Sequence, residues 1–384
     1  MEQQPFPRVL IAHDYVTQRG GAERVVLSLL KAFPGSELIT SVYNPATTFP
    51  EFEHYRVRTL WMDRVPWFRQ DPRRALPFLG RAFAAARTPD VDVVVCSTSG
   101  FAHGLRTSAA KVVYCHTPPR WLHVGDDYLA EVPAFAKPLL QAVKPMLRRR
   151  DDEAAASATT YVANSSIVKR RILDAYGIQA QTLFPPVLID TEADRTPVSS
   201  INPGYFLVVS RQRGYKQVAS ICEAVEALPG ERLVVVGGLP ARESGDWCDR
   251  IQGVSGITDA QLRWLYANAA GLIALSREDF GLTPIEAYSY GTPAILLRSG
   301  GYLDSSVEGR TCLFVDQTGL EPVMEAITRF RQTVFDEEAI KVHASAFNET
   351  AFHASIRSIV MESSLRHRGA SAALRAFDPQ FSSP

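Results

Sequence analysis

The feature that most constrains this chain is a set of short, unbroken apolar runs, each stopped by turn residues and followed by a stretch of helical pattern. In the first half these are "RVLIAH" (8–13), "VDVVVCS" (91–97), "AKVVYCH" (110–116) and "TTYVANS" (159–165). In the second they are "YFLVVS" (205–210), "RLVVVGG" (232–238), "AGLIALS" (270–276) and "PAILLRS" (293–299). A strand with one wet face alternates apolar and polar residues; these runs do not alternate, so both of their faces must be covered. Helices between the strands supply that cover and the crossovers that parallel pairing requires. The runs fall into two groups, which predicts an α/β chain of two doubly wound, Rossmann-like domains. At 384 residues and 46% hydrophobic, the chain has material for two cores of ordinary size.

Between the groups, "PPVLIDTEADRTPVSSINPG" (185–204) is rich in Pro, Ser and Asp and reads as a connection, with the linker proper at 191–204. The expected plan is an N-terminal domain over 1–190, a C-terminal domain over 205–348, and a helix over 349–365 that returns to the N-terminal domain. A flexible tail is expected over 366–384, where apolar periodicity is lost. Ligands of parallel sheets bind beyond the carboxyl ends of the strands, so a cleft between the two domains is the expected site.

Charge narrows the partners. Lys plus Arg equals Asp plus Glu at 41 each, which leaves no overall field to attract nucleic acid. Locally the balance fails: from Arg56 to Arg87 eight arginines face only Asp63 and Asp71, interleaved with Trp61, Trp67, Phe68, Phe78 and Phe83. Such a segment suits an anionic membrane surface, and equally a solvated face over a few core aromatics. The five cysteines are odd in number and widely spaced, without a C-x-x-C pair, which argues against a disulfide framework or a zinc site. No signal sequence is read at the N-terminus. The expectation is a cytoplasmic protein, soluble or peripheral on the inner face of the membrane.

Chemistry concentrates in "SREDFGLTPIEAYSYGTPAI" (276–295). Thr283, Pro284 and Glu286 have the spacing of a capping box at a helix start, which predicts a helix whose first turn carries Glu286 and which Gly291 ends. Glu278 then lies in the loop before it, and Gly281 would let the backbone approach a ligand closely. Elsewhere, Gly20 and Gly21 precede a helix with the apolar stripe Val25, Val26, Leu29, Leu30 and Phe33, and His13, Asp14 and His116 stand at strand ends. Asp90-Val91-Asp92 matches a metal-binding D-x-D pattern but runs straight into Val93-Val94-Val95, so it reads as an ordinary strand start.

These stretches resemble the retaining glycosyltransferases of family 4. "EDFGLTPIEAYSYGTPAI" (278–295) is similar to their donor-binding segment, with two glutamates separated by seven residues. "GGAERVV" (20–26), "YCHTPPR" (114–120), "YVANSSIVKRRI" (161–172), "FPPV" (184–187), "SRQRGYK" (210–216) and "GGYLDSSVEGRTCLFVD" (300–316) resemble further family segments in the same order. The resemblance implies the GT-B fold, two Rossmann-like domains facing across a cleft. It also implies transfer of a hexose, with retention and without a metal or other cofactor, from a nucleotide sugar. "CHTPPR" is similar to the α-mannosyltransferase branch of surface polysaccharide assembly, so GDP-mannose is the expected donor, and a glycan or polyprenyl-diphosphate-linked saccharide the expected acceptor.

By the same resemblance Arg211 and Lys216 clamp the diphosphate with Arg213 as a helper. Glu286 holds the ribose hydroxyls, and Glu278 lies by the donor sugar. Asp279, Phe280, Gly281 and Leu282 offer donor contacts, as do Gly20 and Gly21, and His116 meets the donor sugar or phosphate. Asp14 and Arg120 fall on the acceptor side. Three departures from the family pattern stand out: Asp304 where Glu is common, a shortened "GVSGITDAQL" (253–262), and "RWLHVGDD" (120–127) in place of the branch's usual residues. A UDP-sugar-dependent transferase of the same fold, a sugar-nucleotide epimerase, a phosphorylase and a non-catalytic sugar-nucleotide binder are the competing readings. A binder has no need of a diphosphate clamp.

Overall fold

The computed structural model describes residues 6–123, 137–210, 217–242 and 245–376. They form two compact units, one built from the chain up to Pro186 together with everything from Glu349 on, the other from Val187–Asn348.

The first unit is a parallel sheet of seven strands: β1 (Val9–His13), β2 (Glu37–Thr40), β3 (Val57–Thr59), β4 (Val93–Thr98), β5 (Ala110–Cys115), β6 (Thr160–Ala163) and β7 (Gln181–Thr182), in the order β3-β2-β1-β4-β5-β6-β7. Every residue of β1, β4 and β5 is buried, as runs without alternation require. Alternate side chains serve opposite layers. Ile11, Val95 and Val112 pack with Leu29 and Leu30 of the helix Gly21–Ala32 and with Phe352, Ile356 and Val360 of the last helix. Leu10, Val94 and Val113 pack with Phe83, Val168 and Ile172 on the other side.

The second unit repeats the plan with β8 (Tyr205–Val209), β9 (Leu233–Val236), β10 (Ile251–Val254), β11 (Ala269–Ala274), β12 (Ala294–Leu297) and β13 (Cys312–Val315), in the order β10-β9-β8-β11-β12-β13. Both sheets reverse direction of growth beside their first strand, between β1 and β4 and between β8 and β11. That is where a doubly wound sheet opens a crevice at its carboxyl edge.

Three expectations change. Residues 187–204 are not a free linker but a strap on the second unit: Thr196 N–H donates to the Ala260 carbonyl at 3.1 Å, Arg263 Nε to the Asp194 carbonyl at 2.9 Å, and the Arg195 guanidinium lies 5.2 Å from the Tyr290 ring. Pro- and Ser-rich composition removes regular structure without removing packing. The last helix runs Glu349–Ala376, so residues 366–376 are helical rather than a tail; "RHRGASAALRA" is mostly composed of good helix formers. His367 and Arg368 tie it to the Ser108 carbonyl and Asp92, both at 2.9 Å. The helix carrying Glu286 starts earlier than its capping pattern predicts, spanning Leu282–Tyr288 with Gly281 as N-cap at φ 84°. Thr283 therefore lies inside the helix, and Glu286 is released from a capping role.

Candidate active site

In the first unit the chain ends at the β1/β4 crevice converge on Ser97. His13 Nδ1 lies 2.9 Å from the Ser97 carbonyl oxygen, which can only accept, so Nδ1 carries the proton. His116 Nε2 lies 2.8 Å from Ser97 Oγ, and the two imidazoles meet edge-on with centroids 6.3 Å apart. Burial, with His13 adding to it, pushes the His116 pKa down to about 3. The ring is neutral at physiological pH, so anything it contacts meets a dipole and not a cation.

Asp14 is buried and holds the loop after β4. Its Oδ1 accepts from Thr98 Oγ1 (2.8 Å), Phe101 N–H (3.1 Å) and Ala102 N–H (2.7 Å), and its Oδ2 from Ser99 N–H (2.6 Å). A buried carboxylate with four donors shapes the loop after β4, with Oδ1 fully engaged there and Oδ2 accepting one hydrogen bond. Gly20 is the N-cap of the helix Gly21–Ala32, and Gly21 opens it with no side-chain cap. Arg120 begins a single helical turn, Arg120–His123, and is half-buried. Asp90 and Asp92 hold Arg8, with Asp90 at 2.9 Å, so the D-x-D pattern is a strand start tied to its neighbour.

In the second unit the loop after β11 brings Glu278, Asp279, Phe280, Gly281, Leu282 and Glu286 together. Tyr266 Oη donates to Glu286 Oε2 at 2.7 Å, and Tyr266 is itself fully buried and stacked on Tyr290. One carboxylate oxygen of Glu286 is thereby fixed. Ser276 Oγ donates to Glu278 Oε1 at 3.0 Å; its one proton being used, it accepts from Tyr302 Oη at 3.1 Å. Glu278 is thus oriented by a hydroxyl two residues before it in its own loop, which Tyr302 braces, and Glu286 by Tyr266 of a neighbouring helix; the two tyrosine contacts are relations no local spacing reveals.

The glycines of this site serve an interlock between two loops. A methyl at Gly281 would strike the Tyr302 ring, one at Gly300 the Glu278 carbonyl, and one at Gly301 the backbone of Phe280. Gly301 N–H donates to the Glu278 carbonyl at 3.0 Å. The close approach expected of Gly281 is made by Tyr302. Phe280 is buried against Phe347, with centroids 5.9 Å apart. Asp304 lies on the short turn Tyr302–Ser305 beside this interlock. Arg211, Arg213 and Lys216 follow β8 but lie outside the described residues.

A buried cluster in the first unit escaped the sequence reading. Asp151 Oδ1 accepts from His103 Nε2 at 3.0 Å, and Oδ2 from His123 Nε2 at 2.8 Å and Tyr176 Oη at 2.7 Å. Burial alone would raise the Asp151 pKa; the His103 charge and the hydrogen bonds from His103, His123 and Tyr176 outweigh it and hold the pKa at about 2. His123, Asp151 and Asp152 put ligand atoms within 4.8 Å of one another. Asp151 already accepts three hydrogen bonds, which satisfies it without a cation. The available signal was weak: His123 and Asp151 are far apart in sequence, and Asp151 lies within the charged run Arg148–Glu153, which reads as a solvated helix face.

Comparison with known proteins bears on both units. Residues 19–187 match the family model Glycosyltransferase Family 4, and residues 203–332 match Glycosyl transferases group 1. No curated protein sequence matches the chain. Among solved structures, HepE of Anabaena in complex with UDP-glucose is similar at TM-score 0.64 and 15% identity, with 92% of this chain and 99% of that one covered. Sucrose-phosphate synthase of Thermosynechococcus elongatus is similar at 0.67 and 18%, covering 95% and 100%. The lipopolysaccharide outer core galactosyltransferase WaaB, in its apo form, is similar at 0.63 and 16%, covering 92% and 99%. At such identities the likeness establishes the fold, two parallel-sheet Rossmann-like units of the GT-B type.

Proposed function

From the premise that this chain is a glycosyltransferase of the GT-B fold, its two halves each matching a glycosyltransferase family model, we propose that it transfers a hexosyl group from a nucleoside diphosphate sugar to a saccharide acceptor with retention and without a metal. The donor we assign is GDP-mannose, and the acceptor a glycan or a polyprenyl-diphosphate-linked saccharide. The observation that carries this reading is the pair Glu278 and Glu286, each fixed by a hydroxyl at the carboxyl edge of β11. With Oε2 held by Tyr266, Glu286 presents its remaining acceptor capacity to a ribose diol, a charge-assisted contact that discriminates hydroxyl geometry. Glu278 stands by the sugar as an electrostatic partner.

In the transfer, the bond from the anomeric carbon to the diphosphate oxygen breaks on the same face on which the bond to the acceptor oxygen forms. The acceptor proton passes to the departing phosphate. The main barrier is the charge that builds on that diphosphate, and cations preorganised around it lower the barrier most. Arg211 as a planar fork and Lys216 as a point charge are assigned that task. The neutral His116 suits a hydrogen bond to a sugar hydroxyl.

A second reading, a UDP-sugar donor, is favoured by the similarity to HepE, solved in complex with UDP-glucose. Thermal shift separates the two. GDP-mannose, UDP-glucose, UDP-GlcNAc, GDP and UDP are added without metal to the wild type, Arg211→Ala and Glu286→Gln; a ligand at a hundred times its Kd stabilises the native state by about 2.7 kcal/mol. A shift with GDP ligands that both variants lose is the expected result. A shift with UDP ligands alone replaces the donor, and no shift with any nucleotide overturns the transferase reading.

A further inference from the structure

Residues 61–81 of the first unit form a surface that none of the contacts above uses, and the structure sorts its aromatic side chains. Phe83 is in the core and Phe68 is half-buried, whereas Trp61 is 52% exposed, Trp67 62% and Phe78 50%. Trp61, Phe68 and Phe78 are contiguous, the Phe68 ring lying 6.3 Å from Trp61 and 6.4 Å from Phe78, centroid to centroid; Trp67, next to Phe68 in the chain, carries the Arg74 guanidinium 4.8 Å over its ring. Met62, Ala75, Leu79 and Ala82 pack with Val42 in a core cluster beneath. The segment is a seated shelf of short helices, Trp61–Arg64, Pro66–Gln70, Pro72–Ala75 and Leu76–Ala84, with apolar side chains left over on its outside.

The charge of the shelf is one-sided. Arg64, Arg69, Arg74 and Arg81 are exposed. Of the two acids in the segment, Asp63 is engaged by the Tyr43 N–H at 3.1 Å and by Arg69 at 3.4 Å, and Asp71 lies 4.0 Å from Arg74. Large aromatic rings flanked by arginines are the composition of a surface that seats at headgroup depth: the rings cross the boundary between acyl chains and water while the guanidinium groups meet lipid phosphates. Among the described residues no helix is long and apolar enough to cross a bilayer, so contact of this kind would be peripheral.

We propose that this shelf docks the protein on an anionic membrane, with Trp61, Trp67 and Phe78 inserted among headgroups and Arg64 and Arg81 facing lipid phosphates. The surface is independent of the donor site, so the two assignments fail separately. The full-length chain is sedimented with vesicles of phosphatidylcholine alone and of phosphatidylcholine mixed with phosphatidylglycerol. Wild type is expected to partition to the mixed vesicles only. Trp61→Ala/Trp67→Ala should weaken partitioning at least roughly tenfold, and Arg64→Gln/Arg81→Gln about fivefold per arginine, with added salt reproducing the second effect. Unchanged melting temperatures and nucleotide-induced shifts in the variants show that fold and donor site are intact. Equal binding to both vesicle types, undiminished binding by the variants, or retention by nucleic acid with none by vesicles would each overturn the proposal.

Discussion

Asp151 shows what a single buried carboxylate contributes when its partners are supplied. Its folded pKa of about 2 lies below the ordinary value near 3.9, so between those values the unfolded chain binds more protons than the folded one. Stability is therefore fully present above about pH 4 and is lost as the pH falls towards 2, by on the order of 2 kcal/mol. Urea unfolding of wild type and Asp151→Asn across that range should show a steep acid limb in the first and a shallower one in the second. Parallel limbs would mean that other groups carry the acid sensitivity. His116 acts in the same direction at higher pH: a ring held neutral down to about 3 disfavours the folded state as the unfolded chain protonates below about 6.5. The candidate site residues Glu278, Glu286, His13 and His116 were legible as residue types at strand and helix ends. Their distant holders, Tyr266 on Glu286 and Tyr302 behind Ser276, were not, because each comes from a different element, and spacing along a chain carries no information about which hydroxyl will arrive there.

The elements divide mainly by their place in the sheets. The long apolar runs that became β1, β4, β5, β6, β8, β9, β11 and β12 could be read directly, since a strand covered on both faces must be apolar throughout. The strands β2, β3, β7, β10 and β13 were not read. Length does not separate them, since β6, β9 and β12 also have four residues; position does for four of the five, because β3 and β7 lie at the edges of the first sheet and β10 and β13 at those of the second, where one side lacks a pairing partner. The capping pattern around Thr283 failed for a different reason: Gly281 already takes up the left-handed conformation against Tyr302, and the helix begins there. This interlock makes a prediction about loop packing. Gly301→Ala places a methyl on the Phe280 backbone, which should cost about 3 kcal/mol and displace Glu278. Calorimetry should record the loss of stability together with loss of the nucleotide-induced shift. A variant that melts like wild type would show that the loops separate freely.

At the scale of the whole molecule the chain leaves its first unit at Pro186, builds the second, and returns at Glu349. The return is structural: Phe352, Ile356 and Val360 are buried in the first unit's core, Ser28 Oγ meets His353 Nε2 at 2.9 Å, and Thr160 Oγ1 meets Ser363 Oγ at 2.7 Å. Burying each of those three side chains stabilises the unit by about 2 kcal/mol, a sum comparable with the total stability of a domain. A chain ending at residue 348 should lose amide protection in β1, β4 and β5 by hydrogen–deuterium exchange while β8, β11 and β12 keep theirs. Retained protection in the first group would make the last helix an accessory. What the sequence alone determined is the class of fold and the kinds of chemistry present, because burial on both faces of a strand and the residue types at its ends are local properties. Only the tertiary structure decided how the carboxylates are held, that Asp14 belongs to a loop, that Asp151 gathers two histidines and a tyrosine, and which aromatics of residues 61–81 stay outside. Apart from the local Ser276–Glu278 bond, each of these depends on groups distant in sequence meeting within about 3 Å, or on a side chain failing to find a neighbour, and hydrogen bonding and burial act only at short range.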